Sequence, residues 1–406
     1  MTLSFSQIDP PASLLMGAGP ANVHPRILRA MAADVIGQMD PEMTAYMDET
    51  MALYREVFRT KNKQTLLVNG SARSAIEAAL VSLVTPGMKV VIPRIGRFGL
   101  LLTEIVSRCG GVPCTIDVEW GQVVRPEQVE AAIIEHRPGL VAAVHGDTST
   151  TTAQPLADIG AICRRHDVLF YVDATATLGG MEFETDAWGI DVATAGLQKC
   201  LGGPPGSAPI TLSDRAVAAV LARRHDEAGI ATGQPQGEGP VIHSNYFDLA
   251  MLMNYWSPAR MNHHTEATSM LYASREAARI VVEEGVAARV ERHTRAGRAM
   301  VAGLRAMGLQ IYGDDATRMS NVTGVWVPEG VDNARVREQM RQDFEIEIVS
   351  SFGPLTGKIW RIGAMGVNAQ KHKVLLTLGA FEAVLAGDGF KLPRGAGVDA
   401  AREAWG

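Results

Sequence analysis

Short apolar runs alternate with helix-like segments between residues 65 and 196, and this alternation constrains the fold more than any other feature of the sequence. Runs typical of strands lie at 65–70, 89–93, 111–118, 139–146, 168–174 and 190–196. Segments with helical spacing lie at 71–84, 98–109, 126–136 and 155–166. Because strands that alternate with helices form βαβ units, the pattern predicts an α/β fold whose mostly parallel sheet lies between helices.

The remainder of the chain predicts a smaller α+β domain. Long helical signals at 265–285 and 286–308 are followed by strand-like runs at 321–328, 346–351 and 357–363 and by helical spacing at 332–344 and 370–385. We therefore expect an N-terminal arm at 1–22, a large domain at 23–283 and a small C-terminal domain at 284–406. The segment 225–262 begins with many Gly and Pro residues and has no clean period, so we expect it to run over the surface.

Composition argues against several classes of partner. The formal net charge of the 406 residues is -6 and no basic block occurs, which disfavours nucleic acid and anionic membranes as partners. No apolar stretch is long enough to span a bilayer, and the N-terminus lacks the features of a signal peptide. With four cysteines and no Cys-x-x-Cys pair, the sequence indicates free thiols, no metal site and a cytoplasmic location.

Lys199 stands in the segment "GLQKCLGGPPG", at the end of the last predicted strand. A solvated loop position is the usual role of a lysine. Here, however, the Gly and Pro residues that follow allow sharp turns and a close approach of the backbone to a ligand. A lysine that is partly desolvated in such a loop has a lowered pKa and can form an imine with a carbonyl.

Asp173 closes the strongly apolar run "VLFYVDA". Because ligands bind at the carboxyl ends of the strands in a parallel sheet, we expect Asp173 and Lys199 to lie at the same edge of the sheet. A helix N-cap is the alternative role, but "ATLGG" is a poor helix start. A charge at the end of a buried strand needs a partner. An aspartate near an imine-forming lysine suggests pyridoxal phosphate, whose pyridine nitrogen the carboxylate would keep protonated.

Other residues near this edge could complete a cofactor and substrate site. The turn "NGSAR" leads from a strand into a helix, so backbone N–H groups of Ser71, Ala72 and Arg73 could bind a phosphate. Candidates for contacts to the ring or the phosphate are Phe98, Thr148 and Gln198. Arg361 lies between apolar neighbours, and its guanidinium could bind a substrate carboxylate, although a surface role is common for arginine.

The segments "GSAR", "HGDTST", "VDATATLGG", "GLQKCLGGPPG", "NHHTEAT" and "WRIGAMG" together resemble the class V, fold-type I pyridoxal-phosphate aminotransferases of the alanine–glyoxylate type. The resemblance implies a seven-stranded large-domain sheet, catalytic roles for Lys199 and Asp173, and a homodimer with shared active sites. It also implies that Arg361 binds the substrate carboxylate. The cofactor contacts that it implies are Ser71, Ala72, Arg73, Phe98, Thr148, Asp173, Thr175, Gln198, Lys199 and Thr265.

Departures from the alanine–glyoxylate pattern bear on the substrate. This chain has Asn262 where many such enzymes have tyrosine, Gln38 where they have a serine-like residue, and Phe98 where tryptophan is frequent. These features resemble the (S)-ureidoglycine–glyoxylate aminotransferases of purine catabolism, which form oxalurate and glycine. Amide side chains can pair with a buried ureido group, so we expect Asn262 and Gln38 to determine specificity.

Four alternatives remain open from the sequence. Alanine– or serine–glyoxylate transamination on the same fold is the nearest, and pyridoxamine–pyruvate transamination is a further possibility. A cysteine desulfurase would need a mobile catalytic cysteine, for which Cys200 beside Lys199 is poorly placed. A binding protein of the α/β class without a cofactor belongs to a different functional class.

Overall fold

A seven-stranded sheet organises the chain up to Leu212 in the computed structural model, which describes residues 5–230 and 233–406. The strands are β1 Leu14–Leu15, β2 Gln64–Gly70, β3 Lys89–Arg94, β4 Val112–Asp117, β5 Leu140–Val144, β6 Gly146–Asp147, β7 Thr152–Ala153, β8 Leu169–Asp173, β9 Val192–Thr194, β10 Gly206–Leu212, β11 Val322–Trp326, β12 Ile346–Glu347, β13 Val349–Ser350 and β14 Ile359–Gly363. The large sheet has the order β2-β10-β9-β8-β5-β3-β4.

Helices pack on the sheets and fill most of the remaining chain. They are α1 Pro25–Met31, α2 Pro41–Phe58, α3 Ala72–Leu83, α4 Arg97–Arg108, α5 Pro126–His136, α6 Ala157–Arg165, α7 Asp214–Leu221, α8 Leu249–Tyr255, α9 Thr268–Glu284, α10 Val286–Ala306, α11 Asn333–Phe344, α12 Lys371–Gly387 and α13 Ala396–Trp405. A π-helical turn spans Leu197–Leu201, and 3-10 turns span Gly353–Leu355 and Gly366–Asn368.

The predicted α/β architecture with a mostly parallel seven-stranded sheet is confirmed. Strands β5, β8 and β9 run parallel, and their register brings Val144 beside Asp173 and Asp173 beside Thr194. Every residue of β5 is buried, which explains its unbroken apolar sequence. The carboxyl ends of these strands therefore meet at one edge, as the alternation predicts.

Strand β10 is the one antiparallel member of this sheet, and the sequence pattern did not predict it. It pairs with β2 on one side and β9 on the other. Its sequence begins at Gly206 and contains Pro209, which normally argues against a central strand. The strand forms because Ala208, Ile210 and Leu212 are buried in the main core.

The N-terminal residues pair with strands from the C-terminal part of the chain. Strand β1 pairs in parallel with β12, and the Gly363 amide donates to the Met16 carbonyl over 2.7 Å. Met16 is fully buried in a second hydrophobic cluster with α10, α12 and β14. The run predicted as one strand at 346–351 is divided, since β12 pairs with β1 and β13 pairs with β14. The domain boundaries at 22 and 283 stay predictions.

The expectation that 225–262 runs over the surface is wrong for its second half. Helix α8 packs on the main core, and Leu249 and Trp256 are buried. Asp248 accepts from the amides of Ala250 and Met251 and so begins the helix. Seven residues span only two helical turns, too few for the apolar spacing to stand out in the sequence.

No helix among residues 5–230 and 233–406 is long and apolar enough to cross a membrane.

Replacing Gly160 by alanine should destabilise the fold strongly. Gly160 lies in α6 where a Cβ atom would stand 1.7 Å from the Trp188 carbonyl oxygen, so the helix must shift away from its neighbour. We expect a loss of about 2–4 kcal/mol in the free energy of unfolding, as is usual for overpacked or displaced core elements. Gly387 is the matched control, because it is also helical and has no atom within 4 Å of its Cβ position. Gly387→Ala should change stability by less than about 1 kcal/mol. Equal denaturant midpoints for the two variants would contradict the packing argument.

Candidate active site

A cavity of about 260 Å³ opens at the carboxyl edge of the large sheet. It collects residues from the starts of α3 and α4, the turn after β5, the end of β8 and the π-helical turn. The lining residues are Ser71, Ala72, Arg73, Ile76, Arg97, Phe98, Leu101, Gly146, Thr148, Asp173, Thr175, Ala176, Gln198 and Lys199. One cavity therefore brings together the predicted residues Ser71, Ala72 and Arg73 of the β2–α3 turn, Gln198 and Lys199 of the lysine segment, and Thr148 and Asp173 near the strand ends.

Lys199 lies in the π-helical turn, which Gly202 ends in a left-handed conformation with φ 75°. Its amine donates a hydrogen bond to the Ala18 carbonyl from the N-terminal segment. Gly19 leaves room for this contact, since a Cβ atom there would overlap the lysine side chain. Desolvation, and secondarily the positive charge of Arg361, lowers the pKa of Lys199 to about 8. An amine with that pKa can both accept and donate protons near neutral pH.

Asp173 ends strand β8 and is 4% exposed. Its Oδ1 accepts from the Thr175 amide at 2.9 Å. Burial raises the pKa of Asp173, while hydrogen bonding to Thr175 and the charge of Lys199 oppose that shift. A carboxylate in such a place is stabilised further by a cationic partner.

Two polar atoms of the cavity residues lack hydrogen-bond partners within the described part of the chain. They are Thr175 Oγ1 and Gln198 Oε1, and both are buried. Helix α3 also begins here with Ser71 at the N-cap, and no side chain of the described residues caps it. Unpaired buried polar atoms and an uncapped helix start are features that a polar or anionic ligand would satisfy.

Asp147 is a functional candidate that the sequence reasoning missed, although it lies in the quoted segment "HGDTST". It is fully buried and accepts from the Phe98 amide at 2.8 Å and from the amide and hydroxyl of Ser149. The carboxylate thereby fixes the start of α4, which carries Phe98, against the turn that carries Thr148. The argument that drew attention to Asp173, an acid just after a buried strand, applies equally to Asp147.

Arg361 lies in β14 behind Thr148 and does not line the cavity directly. Its guanidinium donates from Nε and Nη2 to the Ser350 carbonyl and from Nη1 to the Thr148 carbonyl at 2.8 Å. Burial lowers the pKa of Arg361 to about 10; Asp147 opposes the shift and Arg97 adds to it. The structure therefore supports a positively charged group near the cavity, and its role toward a carboxylate stays a prediction.

Cys200 is completely buried behind the lysine turn. Its sulfur accepts from Asn321 Nδ2 at 2.9 Å and lies 3.5 Å from the Ala176 carbonyl oxygen. Burial raises the pKa of Cys200. A buried thiol of this kind is a poor nucleophile, which agrees with the argument against a cysteine desulfurase.

Gln38, Asn262 and Thr265 lie outside the cavity lining. Gln38 Nε2 donates to Asn262 Oδ1 at 2.8 Å, and these two residues are 224 positions apart in sequence. The Oε1 atom of Gln38 is buried without a partner among residues 5–230 and 233–406. Thr265 is exposed in the single chain and precedes helix α9, which begins at Thr268. The structure thus brings Gln38 and Asn262 into contact outside the cavity of their own chain, and their role in specificity stays a prediction.

The family model for class V aminotransferases matches residues 15–361. The chain belongs to the class V aminotransferase family. The resemblance inferred from its motifs is thereby confirmed.

This aminotransferase is similar to proteins of two activities. It is 48% identical to the (S)-ureidoglycine–glyoxylate transaminase of Bacillus subtilis, over 97% of this chain and 94% of the relative. It is 33% identical to the alanine–glyoxylate aminotransferase of Drosophila melanogaster, over 91% of each chain. The crystal structure of a ureidoglycine–glyoxylate aminotransferase from Bacillus subtilis matches with a TM-score of 0.93 and 46% identity, covering 98% of this chain and all of that one.

The segment before α9 is held against the end of β2 in this aminotransferase by buried polar groups. Asn69 Nδ2 donates to His264 Nε2 at 2.7 Å. Glu266 lies beside them with its side chain 1% exposed, and its Oε2 is 3.7 Å from His264 Nε2. Burial raises the pKa of Glu266 to about 6 and lowers that of His264 to about 4. At neutral pH the segment therefore contains a buried carboxylate and an uncharged histidine.

Glu266→Gln should stabilise the protein at neutral pH. The raised pKa means that, above pH 6, ionisation of Glu266 costs free energy in the folded state but not in the unfolded chain. A shift from the ordinary 4.5 to about 6 corresponds to about 2 kcal/mol, which the variant should gain above pH 6 and lose as the pH falls toward 4.5. Urea unfolding at several pH values measures the difference. The exposed Glu329→Gln is the control and should show no such pH dependence.

Proposed function

We propose that this aminotransferase binds pyridoxal phosphate through Lys199 and transfers the amino group of (S)-ureidoglycine to glyoxylate, giving oxalurate and glycine. The observation that carries the proposal is the 48% identity, over 97% of the chain, with a relative of that activity. Identity with the alanine–glyoxylate aminotransferase of Drosophila melanogaster is lower, at 33%. Alanine is therefore the alternative amino donor.

The residues at the cavity suit this cofactor. The backbone amides at the start of α3 can bind the phosphate, and the unpaired Gln198 Oε1 and Thr175 Oγ1 can accept or share further hydrogen bonds. The Phe98 ring can stack on a pyridine ring. Asp173 can pair with a protonated ring nitrogen, which would relieve the cost of burying its carboxylate.

Pyridoxal phosphate, when bound, supplies a carbonyl carbon for amines and a ring that delocalises the electron pair of the substrate Cα–H bond. The task of the Lys199 amine is then to hold the cofactor, to release it to the substrate amine and to move a proton away from the substrate Cα. Its lowered pKa suits that exchange. Asp147 keeps Phe98 and Thr148 in position, and Arg361 provides the positive charge for the substrate carboxylate.

Recognition of the ureido group is assigned to Gln38 and Asn262 in a homodimer with shared active sites. In one chain their mutual hydrogen bond leaves the Gln38 carbonyl oxygen and N–H groups of both amides available. A ureido group has N–H donors and a carbonyl acceptor, so the two sets of groups are complementary. Since this pair and Thr265 lie outside the cavity of their own chain, we assign them to the cavity of the neighbouring subunit. The place of the reaction in purine and allantoin catabolism, and the cytoplasmic location, stay predictions.

An amino-donor panel tests the proposed reaction directly. With glyoxylate as acceptor, freshly prepared ureidoglycine should react with a kcat/KM at least about tenfold above that of alanine or serine, a difference of about 1.4 kcal/mol in transition-state binding. The cofactor spectrum reports the half-reaction with each donor. Lys199→Ala is the control and should lose turnover. In the wild type, borohydride reduction should attach the cofactor to the peptide that contains Lys199 and so raise the mass of that peptide, and the variant should lack this increase. Faster conversion with alanine would show that the donor is misassigned.

Asn262→Leu should change the choice of donor more than the chemistry. Loss of a hydrogen bond to a polar group at an enclosed site costs about 1–3 kcal/mol, so kcat/KM for ureidoglycine should fall about ten- to a hundredfold. The value for alanine, which has no ureido group, should change by less than about threefold, or about 0.6 kcal/mol. Parallel losses with both donors would instead indicate a general role for Asn262 in the assembly of the site.

A further inference from the structure

Arg97 is a cavity residue whose charge has no visible counterpart. It is the first residue of α4 and lines the cavity together with Phe98 and Lys199. Within residues 5–230 and 233–406, no hydrogen bond or ion pair engages its guanidinium. Arg94, three positions earlier, shows the ordinary situation, because its guanidinium binds the Asp117 carboxylate with two hydrogen bonds. An unpaired cation at a cavity wall indicates a binding site for an anion.

Phe352 brings Arg97 and Arg361 together. The Arg97 guanidinium carbon lies 5.1 Å from the centroid of the Phe352 ring, and that of Arg361 lies 4.8 Å from it. Arg97 also lies over Phe98 at 5.3 Å. Cation–π contacts of this kind hold guanidinium groups in place without neutralising them. Two like charges are thus fixed near one ring.

Among the described residues, neither guanidinium of this pair forms a hydrogen bond with a carboxylate. Asp147 interacts electrostatically with Arg361, but its oxygens already accept from the Phe98 amide and from Ser149. Arg361 uses three of its five N–H groups on the carbonyls of Ser350 and Thr148. The five N–H groups of Arg97 make no hydrogen bond to the described residues. Of the two cations, Arg97 has the larger unused hydrogen-bonding capacity toward a ligand.

We propose that Arg97 is a second binding group for the substrate carboxylate, acting with Arg361 across the Phe352 ring. The inference rests on the proposed function only for the identity of the substrates, since every amino acid and 2-oxo acid of a transamination carries this carboxylate. It assigns to Arg97 the amino donor in one half-reaction and glyoxylate in the other. A planar guanidinium is suited to this task because it can bind both carboxylate oxygens.

Arg97→Gln tests the proposal in steady-state kinetics. A lost hydrogen bond to a charged group corresponds to about a ten- to hundredfold change, so the KM values for glyoxylate and for the amino donor should both rise by about that factor. The value of kcat should change much less, because the contact is made equally in the ground state and the transition state. Arg94→Gln is the matched control and should leave both parameters near those of the wild type. A normal KM for glyoxylate in Arg97→Gln would overturn the proposal.

Binding without turnover separates this inference from the proposed function. Calorimetric titration of the holoenzyme measures the affinity for oxamate, an unreactive monoanion similar in size to glyoxylate. Arg97→Gln should bind oxamate at least about tenfold more weakly than the wild type, and Arg97→Lys should restore part of the lost affinity. The affinity for acetamide, which is uncharged, should be the same in the wild type and in both variants. If ureidoglycine fails as a donor while oxamate affinity still depends on Arg97, the substrate assignment is wrong and the role of Arg97 stands. Equal oxamate affinity in the wild type and Arg97→Gln would refute that role.

Discussion

The site depends on a contact between the N-terminal segment and the turn that carries Lys199. A buried amine needs a hydrogen-bond acceptor, and the Ala18 carbonyl provides it. That carbonyl is held in place from both sides: the Ala21 amide donates to the Gln198 carbonyl at 2.8 Å, and the Met16 carbonyl accepts from Gly363 of the small sheet at 2.7 Å. The segment from Met16 to Ala21 therefore links the lysine turn to the small sheet, and both must be in place before the amine is positioned.

The charged groups around the cavity are coupled through their common burial. Lys199, Asp173, Asp147 and Arg361 each lose hydration, and burial shifts the pKa of each toward the uncharged form. Opposite charges oppose those shifts, so removing one member changes the titration of the others. A site with a reactive buried amine also contains charges and polar atoms that find their partners only when a ligand binds. This explains why the cavity residues Gln198 and Thr175 each have a buried oxygen without a partner among the described residues.

Sequence periodicity predicted central parallel strands such as β5 and β8 because these are buried apolar runs of ordinary length. It did not predict β10, whose Gly206 and Pro209 indicate a turn and whose stability comes from pairing on both sides. Motifs predicted Lys199 and Asp173, which terminate recognisable strands or loops. Arg97 could not be identified in the same way, since an arginine at a helix start is ordinary in sequence. Only the three-dimensional structure shows that it faces a cavity and shares the Phe352 ring with Arg361.

The division between the sheet edge and the surrounding segments explains how one fold can serve different amino donors. Asp173 and the lysine turn are fixed by strand register and by the core, so they tolerate little change. Gln38 and Asn262 lie in segments without regular secondary structure and meet through a single hydrogen bond. Substitutions in such segments can alter the polar groups offered to a substrate without moving the sheet. With the roles proposed above, donor choice would change at positions 38 and 262, while the carboxylate, common to all donors, would be bound by arginines on α4 and β14 that need not change with it.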